Sequence, residues 1–304
     1  MKILFTGASS FTGFWFVNEL TNRGHEVTCT LRSDYTGIRK LRADKLADCK
    51  RRSARFGASD FLDLLSEESF DILCHHAARV EGYKSPDFDV GTALMNNTLN
   101  LNRVMDAFKK TGGKKIVITG SVFERDEGAG TKPLRALSPY GLSKTLTSEA
   151  FDYFAKRFDI PLQKFVISNP FGPYEEERFT TFLVKNWMQG VCPEVKTPAY
   201  VRDNIPVSLL AKAYASFVEN DDRVSKFNPS GFVSTQGDFT KRFAAAMRKR
   251  LALACDYTLC DQTEFPEPLE RYNTDSLDHG TYGWNEDHFW DELAGYYKER
   301  LLER

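Results

Sequence analysis

Apolar residues in this chain come in short bursts that stop on glycine or hydroxyl residues, and the bursts alternate with longer stretches of helical spacing. Ile3-Leu4-Phe5 is the first burst. It breaks at Thr6-Gly7 and passes through Ala8-Ser9-Ser10-Phe11-Thr12-Gly13 into a stretch whose Phe14, Phe16, Val17 and Leu20 share one side and which Gly24 closes. The pattern predicts a buried strand turning directly into a helix over 11–23. Glu26 to Leu31 alternates, giving a second strand that stops at Arg32-Ser33. Two more buried strands are expected at Asp71 to Ala78 and from Lys115 to Thr119. Helical spacing fills Asp60 to Ser66 and Asp87 to Thr111, the latter through Leu94, Leu101, Val104, Met105 and Phe108. The charged stretch 34–55 has no clear period and stays open between helix and loop.

Ser138 followed by Pro139 is good capping chemistry and opens a helix running to about Phe158. From Phe179 strict alternation lapses, with helices expected near 180–188, 206–218, 239–248 and 285–302. Strand and helix alternating in the first half predict an α/β fold with a doubly wound parallel sheet. It is expected over residues 1–170, with some later segments returning to it. Residues 171–304 should form mainly a smaller α/β substrate lobe, in which Trp284, Phe289, Trp290 and Tyr296 pack.

Charge and cysteine content narrow the partners. Across 304 residues, 41 Lys and Arg face 42 Asp and Glu, evenly scattered, so no basic face argues for nucleic acid. No segment approaches the roughly 20 apolar residues needed to cross a bilayer, which argues against a membrane partner. Thr6, Gly7, Ser9 and Ser10 interrupt the N-terminal apolar run before it could act as an export signal. The six cysteines contain no CxxC pair, which suits reduced thiols, a cytoplasmic location and no zinc. His75 and His76 are strand neighbours pointing to opposite faces, so they cannot chelate one metal together and read as structural.

Candidate chemistry clusters at the strand ends. The first N–H groups of a helix carry partial positive charge, and Gly7 and Gly13 give a pyrophosphate room to approach the helix from Phe11; ordinary α/β packing is the competing reading. In a βαβ dinucleotide unit the residue at the tip of the second strand, about 20 positions past the glycines, faces the adenosine ribose. An acid there would bind the 2′-hydroxyl of NAD. This chain has Arg32, which would pair with a 2′-phosphate, with Ser33 as an extra donor, and so points to NADP(H); an ordinary exposed arginine is the alternative. Tyr140 and Lys144 lie one helical turn apart on a shared face. A phenol of pKa about 10 becomes useful near neutral pH when an ammonium favours its phenolate. The hydroxyls of Thr119 and Ser121 at the strand tip supply a group to orient a substrate oxygen.

In this order the motifs resemble the extended short-chain dehydrogenase/reductase family, the epimerase/dehydratase branch that acts on nucleotide sugars. The resemblance rests on Thr6 to Gly13, His76-Ala77-Ala78, Asn97, Thr119-Gly120-Ser121-Val122-Phe123 and Tyr140 to Lys144. It extends to Ser168-Asn169-Pro170-Phe171-Gly172-Pro173 and Tyr200 to Val207. It implies a Rossmann-type fold with cofactor contacts from Gly7, Ser9, Ser10, Phe11, Thr12, Gly13, Arg32, Ala77, Ala78, Asn97, Tyr140 and Lys144. Tyr140 would be the acid/base and Lys144 its activator, with Thr119 and Ser121 at the substrate. Asn169 and Arg202 would contact the nucleotide-sugar diphosphate, and the long helices after Asp87 and Ser138 would form a homodimer. Two departures stand out. Ser10 occupies the middle glycine position, where its hydroxyl would crowd or bind the pyrophosphate. Gly120 and Ser121 replace the acidic pair of the 4,6-dehydratases, which argues against dehydration.

The expected function is therefore an NADP(H)-dependent reductase of a nucleotide-linked keto sugar, delivering hydride to C4 with Tyr140 as proton donor. An NAD(P)-dependent nucleotide-sugar epimerase is the alternative. A dinucleotide-sensing regulator is disfavoured by the complete set of Thr119, Tyr140 and Lys144.

Overall fold

The computed structural model describes residues 1–32, 35–220, 224–262 and 267–302. They form two compact units. The first comprises Met1–Glu127, Pro133–Ile167 and Tyr214–Asn228; the second comprises Gly128–Lys132, Ser168–Ala213 and Pro229–Arg304.

In the first unit, β1 (Lys2–Thr6) runs into helix α1 (Phe11–Asn22), followed by β2 (Glu26–Leu31), α2 (Gly37–Asp44), β3 (Lys50–Ser53), α3 (Ser59–Glu67) and β4 (Ile72–His75). Then come α4 (Val90–Asn97), α5 (Leu101–Lys110), β5 (Lys115–Ser121), α6 (Pro139–Phe158), β6 (Leu162–Ile167) and β7 (Lys226–Phe227). Among the described residues these seven strands make one parallel sheet in the order β7-β6-β5-β4-β1-β2-β3. This is the doubly wound, Rossmann-type arrangement that the alternation predicts. The order reverses between β1 and β4, and a crevice at such a switch point is where open α/β sheets bind ligands. Register brings the strand tips level: Thr6 pairs with Thr30 and with His75, and His75 pairs with Ile118.

Each face of the sheet has its own core. Ile116 and Ile118 pack with Phe61, Val104, Phe108 and Phe151 from α3, α5 and α6. On the opposite face Phe16 of α1 stacks on Tyr214, with ring centroids 4.0 Å apart, and meets Phe165 edge-on. Strand alternation sends Thr119, one residue beyond Ile118, to this second face.

The open stretch 34–55 contains α2 and β3. Every residue of β3 is exposed, and the strand is held by parallel pairing to β2, so it carries no buried alternation to read. The single helix expected over 87–111 is two. Asn100 adopts a left-handed backbone (φ 49°) and its amide donates to Gly57 O (2.8 Å), while Thr98 Oγ1 bonds back to Leu94 O (2.7 Å). Asparagine tolerates that conformation, and a helix does not pass through it.

The second unit holds a small mixed sheet in the order 232–235, 201–206, 270–272 and 129–130, with 169–171 also pairing to 201–206. Its core is aromatic: Phe171 meets Phe239, Phe289 and Trp290 at centroid distances of 5.2–5.7 Å. Trp284, Phe289 and Trp290 are buried packing residues, and Tyr296 lies against Tyr174. Helices Phe179–Met188, Gln236–Leu251 and Glu286–Tyr297 belong to the unit, as do two short strand pairs, 194–195 with 258–259 and 229–230 with 275–276. Helix Val207–Glu219 begins in this unit and ends in the first. No described helix is long and apolar enough to cross a membrane.

Candidate dinucleotide and catalytic site

The turn between β1 and α1 is closed tightly enough to dictate its residues. Gly7 has φ +82°, and a Cβ there would come within 2.8 Å of Ala77 N; at Gly13 it would lie 2.2 Å from Gly7 O. Ser10 caps α1. Its hydroxyl donates to Gly7 O (2.8 Å) and accepts from Gly13 N (3.1 Å), so the oxygen expected to crowd or meet a pyrophosphate is turned into the loop. Ser9, Phe11 and Thr12 are buried around it, and Ala77 and Ala78 follow the tip of β4 without bulk. A helix N-terminus lined by glycines and small residues fits a dinucleotide phosphate.

Beneath the turn sits His76. Its Nε2 is 3.0 Å from Ser10 Oγ and 3.1 Å from Thr12 Oγ1, and its Nδ1 is 2.8 Å from Thr119 Oγ1. The ring packs against Phe5 and Phe16. His75 points the other way, toward Phe56 and Phe151, with Nδ1 3.2 Å from Thr6 Oγ1. Burial, and then the nearby Lys144 ammonium, lower both imidazoles to about 3, so both are neutral near pH 7.

Thr119 is 4 % exposed on the β5 tip, and Lys144 from α6 donates through Nζ to its carbonyl oxygen at 2.6 Å. Burial lowers the Lys144 ammonium below its ordinary value, while Glu124 pulls the other way. Tyr140 stands one turn earlier on α6, half-buried, with Tyr83 and Phe88 edge-on to its ring. Ser138 caps this helix by accepting from Gly141 N (3.2 Å), with Pro139 in the first turn, which fixes the direction in which Tyr140 and Lys144 leave the helix. Ser121 folds back: its hydroxyl accepts from Phe123 N (3.2 Å) and its N–H donates to Glu124 Oε1 (2.8 Å). Glu124, wholly buried, is paired with Lys164 (2.5 Å).

Asn97 pins the surroundings, accepting from Arg79 N (3.2 Å) and donating to Thr147 Oγ1 (3.2 Å). Arg32 follows β2 as expected, but its side chain is exposed over Tyr35 (5.9 Å to the ring). Ser33 lies outside the described residues. The sequence did not single out Arg42, which is fully buried on α2 with Nε on Ser9 O (2.8 Å) and so braces the glycine turn. One arginine in a charged, aperiodic stretch leaves no signal by which to find it.

Asn169 and Arg202 belong to the second unit. Asn169 opens the strand 169–171 and is half-buried. Arg202 lies over the Tyr200 ring (4.3 Å). It donates to Val201 O and Leu269 O through Nη1, and to Glu267 (3.1 Å) and Pro268 O through Nη2. A diphosphate would compete with Glu267 for it. Beside it Asp203 is fully buried, accepting from Gly231 N (2.7 Å), and burial pushes its carboxyl up to about 6.

Similar proteins share this framework. UDP-glucose 4-epimerase of Mycolicibacterium smegmatis is 25 % identical over 188 residues, which cover 58 % of this chain and 58 % of that protein. The match thus spans less than two thirds of that curated relative. UDP-glucose 4-epimerase of Thermotoga maritima, solved with UDP-glucose, superposes with a TM-score of 0.74 at 17 % identity over 99 % of this chain and all of its own. UDP-glucuronic acid 4-epimerase of Bacillus cereus, in complex with UDP-glucuronic acid and NAD, gives 0.74 at 17 % over 98 % and 99 %. The dTDP-glucose 4,6-dehydratase DesIV of Streptomyces venezuelae, with NAD bound, gives 0.72 at 18 % over 99 % and 98 %. At such identities the superpositions establish the fold. Kinship comes from a sequence match over residues 3–228, running from the first strand through the last strand of the parallel sheet, by which the chain belongs to the NAD dependent epimerase/dehydratase family.

Proposed function

We propose that this protein is a 4-epimerase of a nucleotide-linked sugar that works with retained NAD. The observation that carries the proposal is the buried Lys144, one turn from Tyr140 and bonded to the Thr119 carbonyl. That trio can take a proton from a sugar hydroxyl and give it back. The glycine turn at Gly7 and Gly13 would hold the dinucleotide, whose nicotinamide would supply the partner chemistry of taking a hydride from the sugar carbon and giving it back. Tyr140 removes the hydroxyl proton as the carbon is oxidised and returns it when the carbon is reduced from the opposite face. Lys144 provides the positive charge a phenolate needs. Thr119 orients the sugar.

Retention of NAD departs from the reductase expected from the sequence. Arg32 is the residue that points to NADP, but epimerases stand among the similar proteins and NAD is the cofactor named with several of them. Gly120 and Ser121, in place of an acidic pair, favour epimerisation over dehydration. Asn169 and Arg202 remain the proposed contacts for the substrate diphosphate, Arg202 by exchanging Glu267 for phosphate oxygens.

The test is to denature the purified protein, identify the released dinucleotide, and assay UDP- and dTDP-sugars with no cofactor added. Near-stoichiometric NAD and cofactor-free interconversion are expected. An empty protein that turns over only with NADPH would restore the reductase. Tyr140→Phe should lower kcat by about a hundredfold or more while NAD stays bound.

A further inference from the structure

His76 lies between two parts of the site that the proposed function treats separately, the cofactor turn and the substrate hydroxyl. Its protonation pattern follows from its neighbours. Ser10 has one hydroxyl proton, and Gly7 O takes it at 2.8 Å; Gly13 N–H occupies one of the oxygen's acceptor positions at 3.1 Å. What Ser10 Oγ has left to offer His76 Nε2, 3.0 Å away, is a lone pair, so Nε2 carries the hydrogen, and Thr12 Oγ1 at 3.1 Å accepts from the same N–H. In a neutral imidazole Nδ1 is then an acceptor, and the Thr119 hydroxyl, 2.8 Å from it, is the donor. The Tyr214 hydroxyl also lies beside Thr119 and Cys74, but the contact to Nδ1, at 2.8 Å, is the well-formed one that fixes the Thr119 rotamer.

We propose that His76 is a positioning residue. Its Nε2–H tautomer anchors on the hydroxyls of the glycine turn and takes the Thr119 proton at Nδ1, so that Thr119 presents an oxygen lone pair to the substrate. Thr119 thereby accepts a hydrogen bond from a sugar hydroxyl neighbouring the one whose proton Tyr140 removes, and so holds the reacting carbon in place as it is oxidised and reduced. The catalytic half of this assignment rests on the proposed function; the tautomer and the tether to Ser10 and Thr119 do not.

Two experiments separate those halves. In the first, protein labelled with 15N-histidine is examined by long-range 1H–15N correlation, with His76 identified by the signals lost in His76→Asn. The expected spectrum shows a neutral ring protonated at Nε2 at pH 7, with its Nδ1 resonance shifted by Thr119→Val and its Nε2 resonance by Ser10→Ala. A ring protonated at Nδ1, or one indifferent to both substitutions, overturns the proposal. In the second, kcat and KM are measured for His76→Leu, Thr119→Val, the double variant and His76→Asn, whose amide oxygen can replace Nδ1. Each of His76→Leu and Thr119→Val should lower kcat about tenfold with little change in KM. The double variant should be no slower than Thr119→Val, and His76→Asn should recover most of the rate. Losses that multiply in the double variant, or an unchanged kcat in His76→Leu, overturn the positioning role. If His76→Leu does not fold, His76→Asn paired with Thr119→Val completes the comparison. Wild-type protein without turnover on any sugar nucleotide would sink the proposed function, while the spectra still decide the tautomer.

Discussion

A threonine hydroxyl that accepts two backbone amides has one proton left to give. Thr6 Oγ1 accepts from the N–H groups of His76 and Ala77, each at 3.1 Å, so its proton goes to Nδ1 of His75. Like His76, His75 is held neutral by burial, and this has a consequence for acid stability. An imidazole of ordinary pKa 6.5 in the unfolded chain and about 3 in the folded one binds more protons when unfolded at every pH between those values. Stability therefore rises with pH across that window and is lost on acidification below about 6.5. Each ring contributes a slope approaching 1.4 kcal/mol per pH unit well inside the window. In urea unfolding between pH 6 and 4, His75→Asn or His76→Asn should be flatter than wild type by about that amount. Equal slopes would show that these rings titrate normally. Strand alternation puts the pair on opposite faces, and so does the packing, His75 on Phe56 and Phe151 and His76 on Phe5 and Phe16. The role of His76 was hidden because Ser10, Thr12 and Thr119 are far from it in sequence; the available hint was a polar ring on a strand face shared with Phe5.

At the scale of elements, legibility followed burial. The helix from Phe11 and the strand from Glu26 could be bounded because their apolar sides face the core. The exposed β3 could not, since its four residues are held by backbone pairing and by surface contacts such as Arg52 to Glu68 (2.7 Å) rather than by a buried face. The break between α4 and α5 depends on one left-handed asparagine and its bond to Gly57, a tertiary contact that helical spacing cannot reveal. For the glycine turn the relevant quantity is space. A methyl at Gly13 would sit 2.2 Å from the Gly7 carbonyl, backbone that cannot yield without moving α1 off β1. Gly13→Ala should cost about 1–3 kcal/mol, as overpacking does, and weaken dinucleotide binding. Gly24 also has positive φ (+83°) but nothing within 4 Å of its missing Cβ. Gly24→Ala should cost about 1–2 kcal/mol through backbone strain and leave dinucleotide affinity unchanged. Urea unfolding with NAD titration checks both; equal losses of affinity would mean that turn geometry is not what Gly13 protects.

At the scale of the molecule, what the sequence hides is where the chain crosses between units. Residues 128–132 join the second unit and 214–228 the first, through strands of two residues at 129–130 and 226–227, too short to carry a period. Assembly is open to a direct test. Leu142 and Tyr153 are eleven residues apart on α6, three turns along one face, and are 43 % and 60 % exposed; Met95 on the adjacent α4 is 58 % exposed. Helices that pack together and show large apolar side chains on the surface are suited to a second copy, as expected for the helices after Asp87 and Ser138. A stable isologous pair buries upwards of about 1,000 Å² in total, within reach of two helices per protomer. Light scattering at micromolar concentration should therefore give twice the 34.6 kDa of the chain. Placing like charges across the two-fold by Leu142→Glu together with Tyr153→Glu should halve that mass with the circular dichroism unchanged, because neither side chain belongs to the buried core. A wild-type monomer would leave the stripe as ordinary exposed surface, and a dimer that survives both substitutions would place the interface on another face.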